Sequence, residues 1–274
     1  MADLAQLAEL RIPKHVSRVS HTCDLEKRKA DIYNSRPGSL PGPDCPECRN
    51  KGYVMRMEDG YMVIGECKCM PTRKSIARME KSGLGELLKR CTFGAYQTPI
   101  QWQKAAKKLA MDYSANPAGR WMVASGCSGS GKTHLCTAVC GKLLEKGMEV
   151  QYMLWVDQSR PLKAAVNDNA EYNRMIAPLK TVQVLYIDDL FKPRTEHDYK
   201  TGKRRRVTAT ASDITLAYEI LNGRLLRSDL LTIISTELSM EEIMDLDTAL
   251  GSRIYEKSKG SYLLMTGEKN WRLR

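Results

Sequence analysis

A glycine-rich segment near the middle of the chain has the residue types and the spacing of a phosphate-binding loop. The segment reads Gly126-Cys127-Ser128-Gly129-Ser130-Gly131-Lys132-Thr133 and matches the pattern G-x-x-x-x-G-K-[ST] in full. Its glycines let backbone N–H groups turn toward phosphate oxygens, and the helix predicted to follow adds the partial positive charge of its N-terminus. We therefore predict an ATP site in which Lys132 reaches the β- and γ-phosphates and Thr133 holds Mg²⁺.

Two acidic residues at the end of an apolar segment supply the second part of such a site. The segment is Val184-Leu185-Tyr186-Ile187-Asp188-Asp189. We expect Asp188 to coordinate Mg²⁺ through water and Asp189 to polarise the water that attacks the γ-phosphate. Hydrolysis also needs positive charge opposite the developing charge, often from a neighbouring subunit. The candidates for this charge are Arg253, which we favour, and the weaker Arg224 and Arg272.

Four cysteines in the N-terminal third have the spacing of a metal site. Cys45-Pro46-Glu47-Cys48 and Cys67-Lys68-Cys69 flank two alternating segments, for which Asp59-Gly60 is the predicted hairpin turn. A hairpin between two cysteine pairs brings four thiolates together, which is the tetrahedral set that Zn²⁺ prefers. We predict a closed, structural zinc site made of Cys45, Cys48, Cys67 and Cys69. Redox-active dithiols and buried thiols are the alternatives.

The charge of the chain favours a polyanionic partner. Its 274 residues include 43 Lys+Arg and 32 Asp+Glu, a net charge of +11, and basic side chains that neutralise phosphates release counterions. The run Lys203-Arg204-Arg205-Arg206 lies in a polar segment at 193–210, predicted as a flexible loop, and is a candidate contact for the backbone of a single strand. No stretch approaches the ~20 apolar residues of a membrane helix, and no signal peptide is visible, so we expect a soluble, cytoplasmic protein.

These residues must be positioned by an α/β fold. From about residue 93 onward, short apolar strands alternate with amphipathic helices, which is typical of a parallel sheet. We predict strands at 121–125, 149–155, 182–188, 230–236 and 261–266, and helices at 132–146, 212–227 and 247–257. Ser212 is the predicted N-cap of one helix, and Ser239 with Glu242 forms a capping box. We divide the chain into an N-terminal helical and zinc-binding domain at 1–70, a helical linker at 71–92 and an ATPase domain at 93–274.

The motifs, taken in order, resemble those of the DnaC/DnaI-type replicative helicase loaders, AAA+ ATPases of the group that also includes the IstB transposition ATPases. They are Gly-Cys-Ser-Gly-Ser-Gly-Lys-Thr-His-Leu at 126–135, Leu-Tyr-Ile-Asp-Asp-Leu-Phe-Lys at 185–192, Thr-Ile-Ile-Ser-Thr-Glu-Leu at 232–238 and Gly-Ser-Arg-Ile at 251–254. The resemblance covers about residues 92–274. It implies a five-stranded parallel AAA+ sheet with helices on both faces and no large helical lid. It also implies that the zinc-binding domain docks on the helicase.

The resemblance further implies roles for individual residues. Nucleotide binding extends over 126–134, His134 included, and takes in Asp188. Lys132 and Thr133 match the Walker A motif, Asp188 and Asp189 the Walker B motif, and Arg253 the arginine finger. The sensor-1 position, where asparagine is usual, carries Glu237, so we expect slow hydrolysis. The implied partners are a DnaB-type replicative helicase hexamer, single-stranded DNA and further copies of the chain in an ATP-dependent ring or spiral, with no membrane partner.

Three other functions stay open. An IstB-like transposition helper would share the ATPase motifs, but the transposition ATPases usually lack a zinc-binding domain. A nucleotide-stabilised adaptor without significant turnover is disfavoured by the acidic pair and Arg253, although Glu237 leaves it open. A small-molecule kinase would explain neither the cysteine cluster nor the charge.

Overall fold

The computed structural model describes residues 23–58, 61–81, 85–197 and 204–265. The chain divides into two units between Met70 and Pro71. The predicted turn Asp59-Gly60 and the candidate Arg272 lie outside the described residues. Within the described ranges, no helix is both long enough and apolar enough to cross a lipid bilayer.

The first unit holds one helix and a two-stranded hairpin. The helix α1 (Cys23–Ser35) precedes the strands β1 (Tyr53–Glu58) and β2 (Tyr61–Glu66), which pair antiparallel. The Asn34 side chain fastens α1 to β1, because its amide donates to Met55 O at 2.8 Å and its oxygen accepts from Met55 N at 3.0 Å. The predicted hairpin is therefore present, with its strands directly between the two cysteine pairs.

The second unit is built around one parallel sheet. Its five strands are β3 (Met122–Gly126), β4 (Val150–Leu154), β5 (Val184–Leu190), β8 (Leu231–Thr236) and β9 (Tyr262–Met265), in the order β4-β5-β8-β3-β9. A separate hairpin consists of β6 (Arg194–His197) and β7 (Arg204–Val207). The helices are α2 (Met70–Lys81), α3 (Gly85–Arg90), α4 (Gln101–Ala115), α5 (Lys132–Glu145), α6 (Trp155–Ala164), α7 (Asn169–Thr181), α8 (Ala211–Leu225), α9 (Met240–Leu246) and α10 (Thr248–Ser258).

Two apolar clusters cover the two faces of this sheet. Side chains alternate along a strand, so in β3 Met122 and Ala124 join the cluster that holds α4 and α5, whereas Val123 joins the cluster that holds α6 to α10. Strands buried on both faces read as continuous apolar runs, which is why the sequence pattern predicts them well. The structure confirms the predicted α/β fold, with a five-stranded parallel sheet and helices on both faces.

Two local predictions need correction, and two helices were not predicted. The segment at 193–210 is not a plain loop, because β6 and β7 pair across it, with Arg194 opposite Val207 and His197 opposite Arg204. Thr210, and not Ser212, caps α8. The helices α6 and α7 lie between β4 and β5, where no helix was predicted. The capping box of Ser239 and Glu242 at the start of α9 is confirmed.

Candidate nucleotide site and cysteine cluster

The predicted phosphate-binding loop connects β3 to α5 at the carboxyl edge of the sheet. Gly126 and Gly131 have φ angles of 146° and 96°, which side chains disfavour. A Cβ at Gly126 would also lie 2.2 Å from Met265 O, and one at Gly131 would lie 3.0 Å from the Tyr96 ring. These two positions therefore require glycine, and the backbone between them curves into a concave loop at the start of α5.

Lys132 is buried within this loop. Its ammonium donates to Gly126 O and to Cys127 O, both at 2.8 Å. Burial lowers the pKa of Lys132, while the carboxylates of Glu237 and Asp189 act in the opposite direction. In the same loop, Ser130 Oγ is buried and has no hydrogen-bond partner among the residues described. A buried ammonium and an unsatisfied hydroxyl on one concave loop fit the phosphate groups of a nucleotide.

Asp188 lies at the end of β5 and is almost fully buried. The Thr133 hydroxyl lies 3.2 Å from Asp188 Oδ1 and 3.4 Å from Oδ2. The structure thus brings together the two side chains predicted to hold Mg²⁺. A hydroxyl and a carboxylate are oxygen ligands of the kind that Mg²⁺ takes beside phosphates, so the pair fits the ion.

Asp189 is next to Asp188 but faces a different environment. Its φ of 56° lies in the left-handed region, at the point where the register between β5 and β8 shifts. The Asp189 N–H donates to Ser235 Oγ at 3.0 Å, and its carboxylate forms an ion pair with Lys192. The carboxylate predicted to polarise water is therefore already paired with a cation.

Two of the three candidate arginines lie in the described part of the chain, and their surroundings differ. Arg253 lies on α10, where its guanidinium is 4.9 Å from the Tyr218 ring centre and donates to Ala249 O at 2.8 Å. Arg224 was wrong as a candidate, because it is fully buried. It donates to the carbonyls of Leu179, Val182, Gln183 and Leu231 and to Thr232 Oγ1. It supports the packing of α7, α8 and β8.

His134, predicted to bind nucleotide, contacts the segment that precedes α4. Its Nε2 lies 2.9 Å from Thr92 O, and its ring packs edge-on against Tyr96 at 5.2 Å between ring centres. The Tyr96 hydroxyl is buried and has no partner among the described residues. Residues 92–96 therefore line the loop next to Gly131.

The four predicted zinc ligands come together in the first unit. Their Sγ atoms lie within 4.8 Å of one another, with 3.7 Å between Cys45 and Cys67 and 3.6 Å between Cys48 and Cys69. A tetrahedral site with Zn–S bonds of about 2.3 Å has S–S distances of about 3.8 Å, so the set fits Zn²⁺. Burial raises the pKa of Cys67 to about 12, whereas hydrogen bonds from Gly52 N–H and the neighbouring thiols outweigh burial and lower that of Cys48 to about 6.

Comparison with known proteins identifies the family. The family model of IstB-like ATP binding proteins matches residues 83–198, which include the loop and Asp188. XkdC, a protein of the phage-like element PBSX of Bacillus subtilis (strain 168), is 31% identical over 264 residues, or 91% of this chain and 94% of XkdC. The chain belongs to the IstB/DnaC-like family of AAA+ ATP-binding proteins.

Two further relatives are matched over shorter parts of their own length. YqaM of Bacillus subtilis (strain 168) is 33% identical over 219 residues, 74% of this chain and 64% of YqaM. The replicative helicase loader DnaC of Escherichia coli (strain K12) is 28% identical over 123 residues, 44% of this chain and 50% of DnaC. A crystal structure of the DnaC helicase loader superposes with a TM-score of 0.50 at 20% identity, over 65% of this chain and 97% of that one, so the AAA+ fold is shared.

Sequence reasoning missed several residues of this IstB/DnaC-like site. Tyr152, Tyr186 and Ser235 all donate to the Asp188 carboxylate, and Lys192 pairs with Asp189. Tyr186 lies two residues before Asp188 on β5, whereas Tyr152 and Ser235 lie on the neighbouring strands β4 and β8, and only the sheet register brings these two hydroxyls to the carboxylate. Lys192 could have been found, because it follows Asp189 by three residues, just beyond the end of β5.

Proposed function

We propose that the chain is an ATP-dependent DNA replication factor that binds the hexameric replicative helicase and loads it onto single-stranded DNA, with ATP binding and hydrolysis as the switch. The observation that carries the proposal is the nucleotide site, in which a buried lysine, a threonine and a buried carboxylate converge at one edge of an AAA+ sheet. The likeness to the replicative helicase loader DnaC supports the choice of partner.

In this proposal the residues of the site divide the work of hydrolysis. When bound, ATP would supply the phosphoanhydride bond, and Mg²⁺ would neutralise part of the negative charge of its phosphates. Lys132 leaves the carbonyls of Gly126 and Cys127 for the phosphate oxygens, and Thr133 and Asp188 hold the cation. Asp189 would separate from Lys192 and orient a water molecule, whose oxygen would bond to the γ-phosphorus as the bond to the ADP oxygen breaks, with the water proton passing to the released phosphate. Arg253 of a neighbouring copy leaves its own Tyr218 and neutralises the charge that develops.

The first unit serves recognition in this proposal. A closed four-cysteine site is structural, because it leaves no ligand position open for chemistry. We assign the zinc-bound unit to the contact with the helicase. Removing the ligands Cys45 and Cys48 should therefore abolish helicase binding without touching the nucleotide site.

A loading assay tests the function as a whole. The tagged full-length chain is mixed with the helicase hexamer of its own cell, circular single-stranded DNA, ATP and Mg²⁺, and the helicase retained on the DNA is measured. We expect retention with the wild type, loss of retention but not of helicase binding with Lys132→Ala, and loss of both with Cys45→Ser/Cys48→Ser. Wild-type protein that neither binds the helicase nor changes its retention would contradict the proposal.

We further propose that the basic run at 203–206 contacts the DNA backbone. Three of its residues, Arg204 to Arg206, lie on β7, which pairs with β6, the strand that follows β5 along the chain. Replacing Arg204, Arg205 and Arg206 by Gln should reduce the salt dependence of single-strand binding by about 2 log units per log unit of salt, since each phosphate contact contributes ~0.7. The control replaces Lys104, Lys108 and Lys142 by Gln, which removes the same three positive charges from the helices α4 and α5. Equal loss in both variants would assign the effect to net charge alone.

A transposition helper is the second candidate, because the matching family model is that of IstB-like ATP binding proteins. The two functions differ in the partner that ATP recruits. A pull-down with ATP and Mg²⁺, with Lys132→Ala as the control, decides between them. Recovery of a transposase in place of a helicase would establish the second function, and a chain that binds ATP but does not hydrolyse it would be an adaptor.

A further inference from the structure

Four hydroxyl groups surround the carboxylate of Asp188. Tyr186 OH donates to Oδ1 at 2.7 Å, and Ser235 Oγ donates to the same oxygen at shorter range. Tyr152 OH donates to Oδ2 at 3.1 Å, and Thr133 lies near both oxygens. The proposed function uses only Thr133, so three donors remain without a role.

The three donors other than Thr133 are distributed unequally over the two carboxylate oxygens. An ionised carboxylate has about four lone-pair directions, two on each oxygen. Tyr186 and Ser235 occupy both directions on Oδ1, while Tyr152 occupies one on Oδ2. Thr133 Oγ1 lies 3.2 Å from Oδ1 and 3.4 Å from Oδ2, and after these three donors only Oδ2 has a direction left. Rotation of the carboxylate would break three buried hydrogen bonds, so its orientation is fixed before any ligand arrives.

Ser235 has a second contact that the tyrosines lack. Its Oγ accepts the Asp189 N–H at 3.0 Å. Asp189 has a left-handed backbone, which costs a residue other than glycine of order 1 kcal/mol or more unless its surroundings enforce it. Ser235 is fully buried in β8, and the register between β5 and β8 shifts between Ile187 and Leu190, beside this contact. The Ser235 hydroxyl therefore binds both acidic residues, the carboxylate of Asp188 and the backbone N–H of Asp189.

The tyrosine hydroxyls are permanent donors. Burial, with the nearby carboxylate of Asp188 adding to it, raises the pKa of Tyr152 far above its ordinary value, and that of Tyr186 is raised in the same way. Both phenols are therefore protonated at neutral pH and act as donors to Asp188.

We propose that Ser235 is a positioning residue for the Mg²⁺-ATP site, whose hydroxyl fixes the rotation of the Asp188 carboxylate and the backbone of Asp189, with Tyr186 sharing the first task. The inference rests on the proposed nucleotide function. A purely structural hydroxyl would also stabilise the core, but its removal would leave the response to Mg²⁺ unchanged. The response to Mg²⁺ therefore separates the two roles.

The test measures binding of a fluorescent ATP analogue to the full-length chain over a range of Mg²⁺ concentrations. Partners that orient a metal-binding carboxylate are worth ~10–100-fold in metal affinity or activity. We expect Ser235→Ala to raise, by about tenfold or more, the Mg²⁺ concentration that produces half of the Mg²⁺-dependent increase in analogue binding. The affinity for the analogue in the absence of Mg²⁺ should be unchanged. Ser235→Thr keeps a hydroxyl and should restore most of the response.

Ser261→Ala is the matched control. Ser261 is also a buried serine, but its Oγ has no partner among the described residues, so its loss should leave the Mg²⁺ response unchanged. If Ser235→Ala does not fold, as judged by circular dichroism, Tyr186→Phe removes one oxygen and should shift the Mg²⁺ response in the same direction. A wild-type Mg²⁺ response in the folded variant overturns the inference. Wild-type protein whose analogue binding ignores Mg²⁺ overturns the proposed function as well.

Discussion

Two buried cations in the second unit show how the surroundings of a charge indicate its role. Arg224 donates to five oxygens of the protein, so its charge is fully used by the fold. Burial lowers its pKa to about 10, which still leaves it charged at neutral pH. Lys132 has two carbonyl partners and an unsatisfied hydroxyl in the same loop. The second arrangement gains from an anionic ligand, whereas the first does not.

Replacing Lys132 should therefore affect the ligand more than the fold. A hydrogen bond to a charged group contributes about 1.5–3 kcal/mol, which corresponds to a roughly tenfold to hundredfold loss of ATP affinity for Lys132→Ala. Equilibrium binding of ATP with Mg²⁺ measures the loss. Lys142→Ala is the control on the same helix, because Lys142 is exposed and pairs with Glu145. Unchanged ATP affinity in Lys132→Ala would contradict the assignment of this loop as the nucleotide site.

At the scale of elements, sequence patterns predict the features that depend on adjacent residues in the chain and miss those that depend on contacts with other elements. The five strands and the loop are predictable, since buried parallel strands are apolar runs and the loop has fixed spacing. The cap of α8 is not, because Thr210 and Ser212 have similar local tendencies. Asp213 decides between them: its carboxylate accepts from the Thr210 N–H and hydroxyl, and Lys163 of α6 binds its other oxygen. The hydrogen bonds from Tyr152 and Ser235 to Asp188 likewise depend on the register of neighbouring strands.

The cap of α8 should give the protein an acid-sensitive contribution to stability. Burial raises the pKa of Asp213, but the hydrogen bonds from Lys163 and Thr210 outweigh it, so the pKa lies below its ordinary value. A lowered folded-state pKa stabilises the fold above the unfolded-state pKa of ~3.9, and this contribution is lost as the pH falls through the folded-state value. Asp213→Asn should lower the free energy of unfolding by about 1.5–3 kcal/mol at pH 7.

Urea unfolding from pH 7 down to pH 3 checks this contribution. The difference between wild type and Asp213→Asn should begin to shrink as the pH falls below the unfolded-state pKa of ~3.9, because the unfolded wild-type carboxylate takes up a proton there before the folded one does. Asp112→Asn is the control: Asp112 pairs with Lys108 on an exposed face of α4, and its loss should be unmeasurable. A difference that does not change with pH would show that the charge of Asp213 is not the cause.

The hairpin of the first unit should depend on metal. A structural Zn²⁺ contributes of order 10 kcal/mol to the folding of a small unit, and four thiols this close cannot all be deprotonated without a cation between them. The purified chain should release about one Zn²⁺ on denaturation. Cys45→Ser/Cys48→Ser should release none, lose the folded hairpin and keep ATP binding, whereas Cys91→Ser should behave as wild type. Retention of zinc by the double variant would refute the ligand assignment.

At the scale of the whole molecule, we expect the catalytic site to span two copies of the chain, with Arg253 supplied by the neighbouring copy. Within one copy, the Arg253 guanidinium contacts the Tyr218 ring and Ala249 O, both outside the loop. The loop, Thr133, Asp188 and Asp189 come from one copy, and the resemblance to the helicase loaders implies that a neighbour supplies the arginine. A ring or spiral that forms with ATP would then make hydrolysis depend on assembly.

Mixing two inactive variants tests this arrangement directly. Lys132→Ala lacks a working loop but keeps Arg253, and Arg253→Ala keeps the loop but lacks the arginine, so each alone should be nearly inactive. In an equal mixture, an interface is active when its loop comes from the second variant and its arginine from the first. Random assembly makes this combination at about one quarter of interfaces, so about a quarter of wild-type ATPase activity should return. Complementation requires that the arginine act between copies, because no single chain in the mixture carries both groups. An inactive mixture whose chains still co-assemble on gel filtration with ATP would place the catalytic cation within one copy.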